Sequence, residues 1–307
     1  MSDNASTVLL VYYGHTMPEL PEVETIRRGL SRLITGQKIH RISFDNRRSF
    51  PNDPNRVDLY LIGAVITAVD RRGKALLIRL NNGLTLAVHL KMTGQLVYEG
   101  PNVHFGAGHP TASLIGKMPD KSTRVIISFV SGTRLYFNDQ RKFGWMKLLT
   151  NQELLREPFF MGLGPDPLRH SFTWQHFKQR LERHPRLGIK AALLNQSIIA
   201  GIGNIYADES LWSARIHPAR PAGSLSDAEC RNLIAAIKEV LLISLDKGGS
   251  TDRNYVDAEG HTGSYLEFAR VFRRQNQACL RCRTPIRKVK LAGRGTHYCP
   301  HCQVLKV

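Results

Sequence analysis

Apolar positions recur with two different periods, and the change of period divides the chain. Val23, Ile26, Leu30, Leu33 and Ile34 return every three to four residues, the spacing that lines one face of a helix. Pro21 suits the first turn of that helix, Glu22 and Glu24 suit its positive end, and Gly36 suits the stop. From about Lys38 to Leu149 the pattern becomes that of strands. Asn82-Gly83 predicts a tight turn between Ala75–Leu80 and Leu84–Leu90, and Ser131-Gly132 predicts another between Val125–Val130 and Leu135–Phe137. Short strands joined by tight turns argue for an antiparallel β-sandwich. Residues 101–122, rich in Gly, Pro, His and Ser, read as an exposed loop. After about residue 150 the helical period returns. Trp174, Phe177 and Leu181 share a face. Ser226 and Glu229 form a capping-box pattern ahead of Leu233, Ile234, Ile237 and Leu241, and Gly248-Gly249 ends that helix.

Charge adds a partner to this picture. The 307 residues carry 43 Lys+Arg against 25 Asp+Glu, a formal net charge of +18. From Arg270 to the end there are ten basic residues and no acidic one. A basic surface concentrated in this way points to a polyanion. A hydrophobic content of 42% excludes an intrinsically disordered chain. No run reaches the ~18 apolar residues of a membrane span. The early apolar run Val8–Tyr13 has no Lys or Arg before it and does not read as a secretory signal. A reducing compartment follows, in which disulfides are not expected.

Four of the five cysteines form Cys279-x2-Cys282, sixteen intervening residues, then Cys299-x2-Cys302. Two such knuckles bring four thiolates to tetrahedral reach, as in a closed structural zinc site, with two disulfides or free thiols as the other reading. No coordination position is left for water, so the ion should hold structure and do no chemistry. Cys230 reads as an ordinary packed residue of a helix. Between the knuckles, Arg287 to Thr296 reads as a β-hairpin with a basic tip able to meet phosphates. Gly201-Ile202-Gly203-Asn204 reads as a tight turn feeding a helix N-terminus, where backbone N–H groups attract an anion and the glycines let a phosphate approach. An ordinary corner between two helices fits that short motif equally.

The chain also contains Met17-Pro18-Glu19-Leu20-Pro21-Glu22-Val23-Glu24, Lys74 in Arg72-Gly73-Lys74, His89-Leu90-Lys91-Met92-Thr93-Gly94 and Asp139-Gln140-Arg141-Lys142-Phe143-Gly144. With Gly201 to Glu209 and the cysteine tail, these motifs resemble the bacterial formamidopyrimidine-DNA glycosylase family, over about residues 17–303. The resemblance implies an α+β multidomain fold. An N-terminal antiparallel β-sandwich with an N-terminal helix (17–150) is followed by a helix-two-turns-helix domain (151–250) and a four-cysteine zinc ribbon (251–307). It also implies a bifunctional base-excision enzyme that removes oxidised purines such as 8-oxoguanine and formamidopyrimidines, then cuts the abasic strand by β,δ-elimination.

Residue by residue, Pro18 matches the family's N-terminal proline nucleophile. A terminal amine titrates near pH 8 and is partly free at neutral pH. As a secondary amine it can form an iminium that draws electrons during elimination. Glu19 matches the general acid/base and Glu22 a further carboxylate of the site, although first-turn acids also stabilise helices in general. Lys74 matches the active-site lysine that assists elimination. His89, Lys190, Asn204 and Arg294 match positions that grip the backbone around the extruded nucleotide, and Arg294 also matches the residue tied to δ-elimination. Met92, Arg141 and Phe143 match the trio that fills the gap left by the flipped base, a task suited to apolar and planar side chains. The implied partner is damaged double-stranded DNA and the implied cofactor one structural zinc, with no organic cofactor and no membrane. The expected state is a cytoplasmic bacterial monomer that meets the nucleoid through DNA.

Some positions depart from the family pattern. Residues 1–16 precede Met17, and an amide-bonded Pro18 has no basic nitrogen. Translation from Met17 with removal of that Met, the favoured reading, frees Pro18; a genuine extension requires processing or leaves the site without Schiff-base chemistry. Gln140 stands where the family more often has Pro, and Lys91 and Lys142 keep or add charge. Two alternatives stand beside the purine-lesion enzyme: an endonuclease VIII-type glycosylase for oxidised pyrimidines, and a non-catalytic damaged-DNA-binding protein with Pro18 blocked. The string from Leu20 to Glu24 and the Met92/Arg141/Phe143 trio favour the purine branch.

Overall fold

The computed structural model describes residues 17–306 apart from 102, 110, 115 and 250–264, so the expected extension at 1–16 lies outside the described residues. The predicted first helix is α1 (Leu20–Ile34). Strands β1 (Ile39–Phe44), β2 (Ile66–Arg72), β3 (Ala75–Leu80), β4 (Thr85–His89), β5 (Gly94–Gly100), β6 (Val103–Gly108), β7 (Thr123–Phe129), β8 (Arg134–Asp139) and β9 (Trp145–Leu149) follow. They build a five-stranded sheet of order β1-β7-β8-β5-β6 and a four-stranded sheet of order β2-β3-β4-β9, antiparallel throughout. Val23, Ile26, Leu30 and Ile34 of α1 share one buried cluster with Leu76, Ile78 and Val88 of one sheet and Leu96, Val125 and Phe137 of the other. Side-chain alternation in β3 explains why its first four residues are all apolar. Leu76 and Ile78 enter the sandwich, while Ala75 and Leu77 pack with Leu154 and Phe160 on its outer side.

The loop expected at 101–122 is a correction. Val103–Gly108 is the edge strand β6, paired with β5, and Phe105, Gly106 and Ala107 are buried. The glycines misled because they serve close backbone packing. A Cβ on Gly106 would lie 2.3 Å from the carbonyl oxygen of Leu114, and one on Gly108 would lie 2.4 Å from that of Gly94. The short helix α2 (Pro54–Tyr60), capped by Asp53, also interrupts the stretch expected to be strands.

Helices α3 (Asn151–Arg156) and α4 (Pro158–Met161) lead into a second core made by α5 (Trp174–Glu182), α6 (Ile189–Leu194), α7 (Asn204–Ser213) and α8 (Asp227–Asp246). Ser226 and Glu229 make the expected capping box: the Glu229 carboxylate accepts the Ser226 amide at 2.9 Å and the Ser226 hydroxyl accepts the Glu229 amide at 3.3 Å. Leu20 belongs to this second core and not to the sandwich, so the start of α1 is held by the helical domain. Strands β10 (Arg287–Leu291) and β11 (Arg294–Tyr298) form the expected hairpin. Its two-residue turn has Ala292 at φ 46° and Gly293 at φ 74°, as a type I′ turn requires. Among the described residues no helix is long and apolar enough to cross a membrane.

Candidate active site

The Gly201–Asn204 turn wraps the segment that carries Pro18 and Glu19. The Leu20 amide donates to the Gly201 carbonyl at 3.0 Å. The Glu19 carboxylate lies on the N-terminus of α7 and accepts the amides of Ile205 at 3.0 Å and Tyr206 at 3.5 Å. The anion expected at this helix end was a DNA phosphate; the structure fills the position with the protein's own carboxylate. The glycines are needed for that approach, because a Cβ on Gly203 would stand 2.2 Å from the Glu19 carboxyl carbon and one on Gly201 would stand 2.7 Å from Leu20. Pro18 and Glu19 are both buried.

Burial and the helix end act on Glu19 in opposite senses. Desolvation pushes its pKa up, while Lys74 and the two amides oppose this, and the balance is about 7. A carboxyl group poised there can both give and take a proton near neutrality. Lys74, also buried, is held below the usual lysine range by desolvation, with Glu19 and Glu22 opposing and Arg294 adding to the depression. Glu22 thus acts on both Glu19 and Lys74, and Arg294 lies near enough to act on Lys74.

Lys74 is aimed by the turn before β3. Gly73 is in the left-handed region at φ 59°. Its carbonyl accepts Arg71 at 2.9 Å, and the same guanidinium is paired with Glu24 of α1 at 3.1 Å and Asp166 at 2.7 Å. Glu22 completes the floor. It accepts the Glu19 amide at 2.9 Å and the Tyr206 hydroxyl, which lies 2.6 Å from the Ser244 hydroxyl, so α1, α7 and α8 meet at one polar knot.

The expected gap-filling residues stand apart from this pocket on two loops. Phe143 is 54% exposed, and the exposed Arg141 has its guanidinium carbon 4.9 Å from the Phe143 ring centre. Met92 is half-buried on the β4–β5 turn. His89, at the end of β4, is buried, and desolvation, reinforced by Lys91 and Lys74, lowers its pKa to about 3. Its Nδ1 accepts the Lys91 amide at 2.9 Å, so the neutral ring carries its proton on Nε2 as a donor. Asn204 is the first residue of α7 and half-buried.

Lys190 departs from the expectation of a backbone grip. Its side chain is 2% exposed and its ammonium is paired with Asp208 at 2.6 Å. It also donates to the Gly295 carbonyl and the Thr296 hydroxyl, each at 2.9 Å. Asp208 in turn accepts the His297 amide at 2.8 Å. The pair therefore clamps β11 to α6 and α7 directly behind Arg294, which is itself exposed at the start of that strand. Glu209 accepts the amides of Arg270, Val271 and Phe272 at 2.8–2.9 Å and fixes the entry to the cysteine domain. Asp208 and Glu209 lay within a motif the sequence had singled out, but nothing in their spacing told inward carboxylates from outward ones.

The four cysteine Sγ atoms of Cys279, Cys282, Cys299 and Cys302 all lie within 4.8 Å of one another. Thiolates about 2.3 Å from a common zinc in tetrahedral array would be about 3.8 Å apart, so this donor set fits a closed zinc site. The Trp212 indole N–H points at the Cys279 sulfur at 3.4 Å, an outer-shell donor of the kind that tunes metal thiolates.

Family models match as the formamidopyrimidine-DNA glycosylase N-terminal domain at residues 17–146, the formamidopyrimidine-DNA glycosylase H2TH domain at 163–255, and the zinc finger found in FPG and IleRS at 276–304. The chain is similar to the formamidopyrimidine-DNA glycosylase of Symbiobacterium thermophilum, 44% identical over 94% of this chain and 89% of that protein. It is also similar to that of Ligilactobacillus salivarius, 39% identical over 94% and 100%. Among solved structures, Lactococcus lactis Fpg in complex with abasic-site DNA superposes with a TM-score of 0.81 at 34% identity, covering 93% of this chain and 99% of that one. MutM in complex with carbocyclic 8-oxo-G DNA also gives 0.81 at 34% identity, covering 94% and 100%. Sequence, fold and the buried carboxylate on α7 thus converge, and the chain is a member of the formamidopyrimidine-DNA glycosylase family.

Proposed function

We propose that the protein is a base-excision repair enzyme that removes oxidised purines, 8-oxoguanine and formamidopyrimidines, from double-stranded DNA and cuts the abasic strand by β,δ-elimination. Pro18, once N-terminal, attacks C1′ of the lesion nucleotide as the C1′–base bond breaks and the base leaves with a proton. Opening of the sugar gives an iminium at Pro18. Loss of a C2′ proton then expels the 3′ phosphate, loss of the C4′ proton expels the 5′ phosphate in the δ-elimination, and water hydrolyses the iminium to free Pro18. The observation that carries this reading is the Glu19 carboxylate, beside Pro18, held by two α7 amides with Lys74 as its main opposing charge.

In this reading Glu19 exchanges the protons of the glycosylase step, Glu22 braces it, and Lys74 and Arg294 serve the eliminations. His89, Asn204 and Arg294 hold phosphates, and Met92, Arg141 and Phe143 occupy the space of the extruded base. Cys279, Cys282, Cys299 and Cys302 hold one zinc per chain, whose part is to fix the β10–β11 hairpin. The enzyme would act as a monomer on the DNA of the bacterial cytoplasm. End-labelled duplex with one 8-oxoguanine tests the reading. Cleavage leaving phosphate on both sides of a one-nucleotide gap supports it, and an intact strand after prolonged incubation with a chain beginning at Pro18 contradicts it.

A further inference from the structure

The two loops that bear Met92, Arg141 and Phe143 are joined by one carboxylate. Asp139, at the end of β8, is fully buried. It accepts the Gly144 amide at 2.7 Å, the Arg141 amide at 3.2 Å and the Thr93 hydroxyl. Thr93 directly follows Met92, and its hydroxyl oxygen also accepts the Arg141 amide at 3.1 Å. One residue therefore closes the 140–143 loop at both ends and ties it to the β4–β5 turn. Two further features fit that closure. Lys142 adopts a left-handed φ of 57°. A Cβ on Gly144 would stand 3.1 Å from an Asp139 carboxylate oxygen and 2.7 Å from the Phe137 ring, so the loop must end on glycine. Arg124 fixes the Asp139 backbone by donating to its carbonyl at 2.9 Å.

We infer that Asp139, with Thr93, is a positioning residue that holds Met92, Arg141 and Phe143 as a preformed wedge before DNA arrives. A Phe ring left 54% exposed has little packing of its own to fix it, so its direction is set by the backbone beneath. The tether supplies that backbone order in advance, and a preformed insert loses less freedom when it enters the stack. The inference rests on the reading of those three residues as the gap-filling set. It adds a requirement to that reading: the wedge depends on a buried carboxyl group beneath the loop.

Asp139→Asn tests it in the full chain. An amide NH2 replaces one of two oxygens that both face donors, so one tether must break. Thr93→Val, a milder change, removes only the hydroxyl and serves if the first variant folds poorly. Three readouts separate the outcomes. Amide exchange of Arg141 and Gly144 in the free protein should be slow in the parent and at least about tenfold faster in the variant. Excision from an 8-oxoguanine duplex should fall about tenfold or more, while cleavage of an abasic site in a single strand, which needs no base extrusion, stays within about threefold of the parent. Unchanged exchange, or equal losses on duplex and single strand, overturns the inference. A parent enzyme that cuts neither substrate would instead overturn the enzymatic reading, leaving the exchange measurement to decide the tether.

Discussion

The Glu19 carboxylate occupies the N-terminus of the helix that begins at Asn204, 3.0 Å from the Ile205 amide. Residues nearly two hundred positions apart are thereby joined, and the contact exists only because residue 203 has no side chain. Gly203→Ala should leave the two cores intact and displace Glu19, since the new methyl would meet its carboxyl carbon at 2.2 Å. Excision should fall about a hundredfold. Steady-state kinetics alongside a thermal melt checks this, and a fully active variant would contradict the assigned contact.

The same carboxyl predicts a pH dependence. The folded pKa of about 7 stands above the ordinary 4.5. A group raised in this way contributes stability that is present below pH 4.5 and is lost as pH rises through about 7. Glu19→Gln should therefore be the more stable protein at pH 8, by about 3 kcal/mol at most, and the advantage should vanish near pH 4.5. Denaturant titrations at the two pH values measure it. In activity, a step that needs the protonated acid should decline above pH 7.

Lys190 separates two accounts of the hairpin. As one half of a buried pair with Asp208, its replacement by Met should leave an uncompensated anion and cost roughly 3–5 kcal/mol of stability. The dependence of DNA affinity on salt should not change slope. Arg294→Ala should do the reverse: stability holds, and the slope flattens by about one unit. Fluorescence anisotropy across a salt series reads both. A flattened slope for Lys190→Met would restore the phosphate contact that the sequence suggested.

Much of this architecture was legible in the chain. The 3.6-residue period of Val23 to Ile34, the Ser226–Glu229 box and the cysteine knuckles each carry a local cause, and the elements they predict appear. Where several residues share one local pattern, the outcome depends on tertiary partners. The glycines of β6 read as loop because their role is close backbone contact with Leu114 and Gly94, which only the folded sheet brings against them. Gly203 and Asn204 signalled an anion site correctly but could not say whose anion. Lys190 had the right residue type for phosphate, and only the placement of Asp208 turns it inward.

Zinc removal tests how the hairpin is held. Its strands are short, and their docking rests on the cysteine cluster together with the Lys190–Asp208 clamp. Chelation should release about one zinc per chain and abolish tight DNA binding, while the sandwich core keeps its near-native signature. Full DNA affinity in a metal-free protein would refute this dependence.

The central claim is chemical: the Pro18 nitrogen, when it is the chain terminus, is the nucleophile. Borohydride trapping on abasic DNA, with the N-terminus fixed beforehand by intact mass, tests it most directly. Peptide mapping of the trapped complex should place the DNA on Pro18, and a chain retaining the residues before it should not trap. An adduct on Lys74, or no adduct from a protein proved to begin at Pro18, would contradict it.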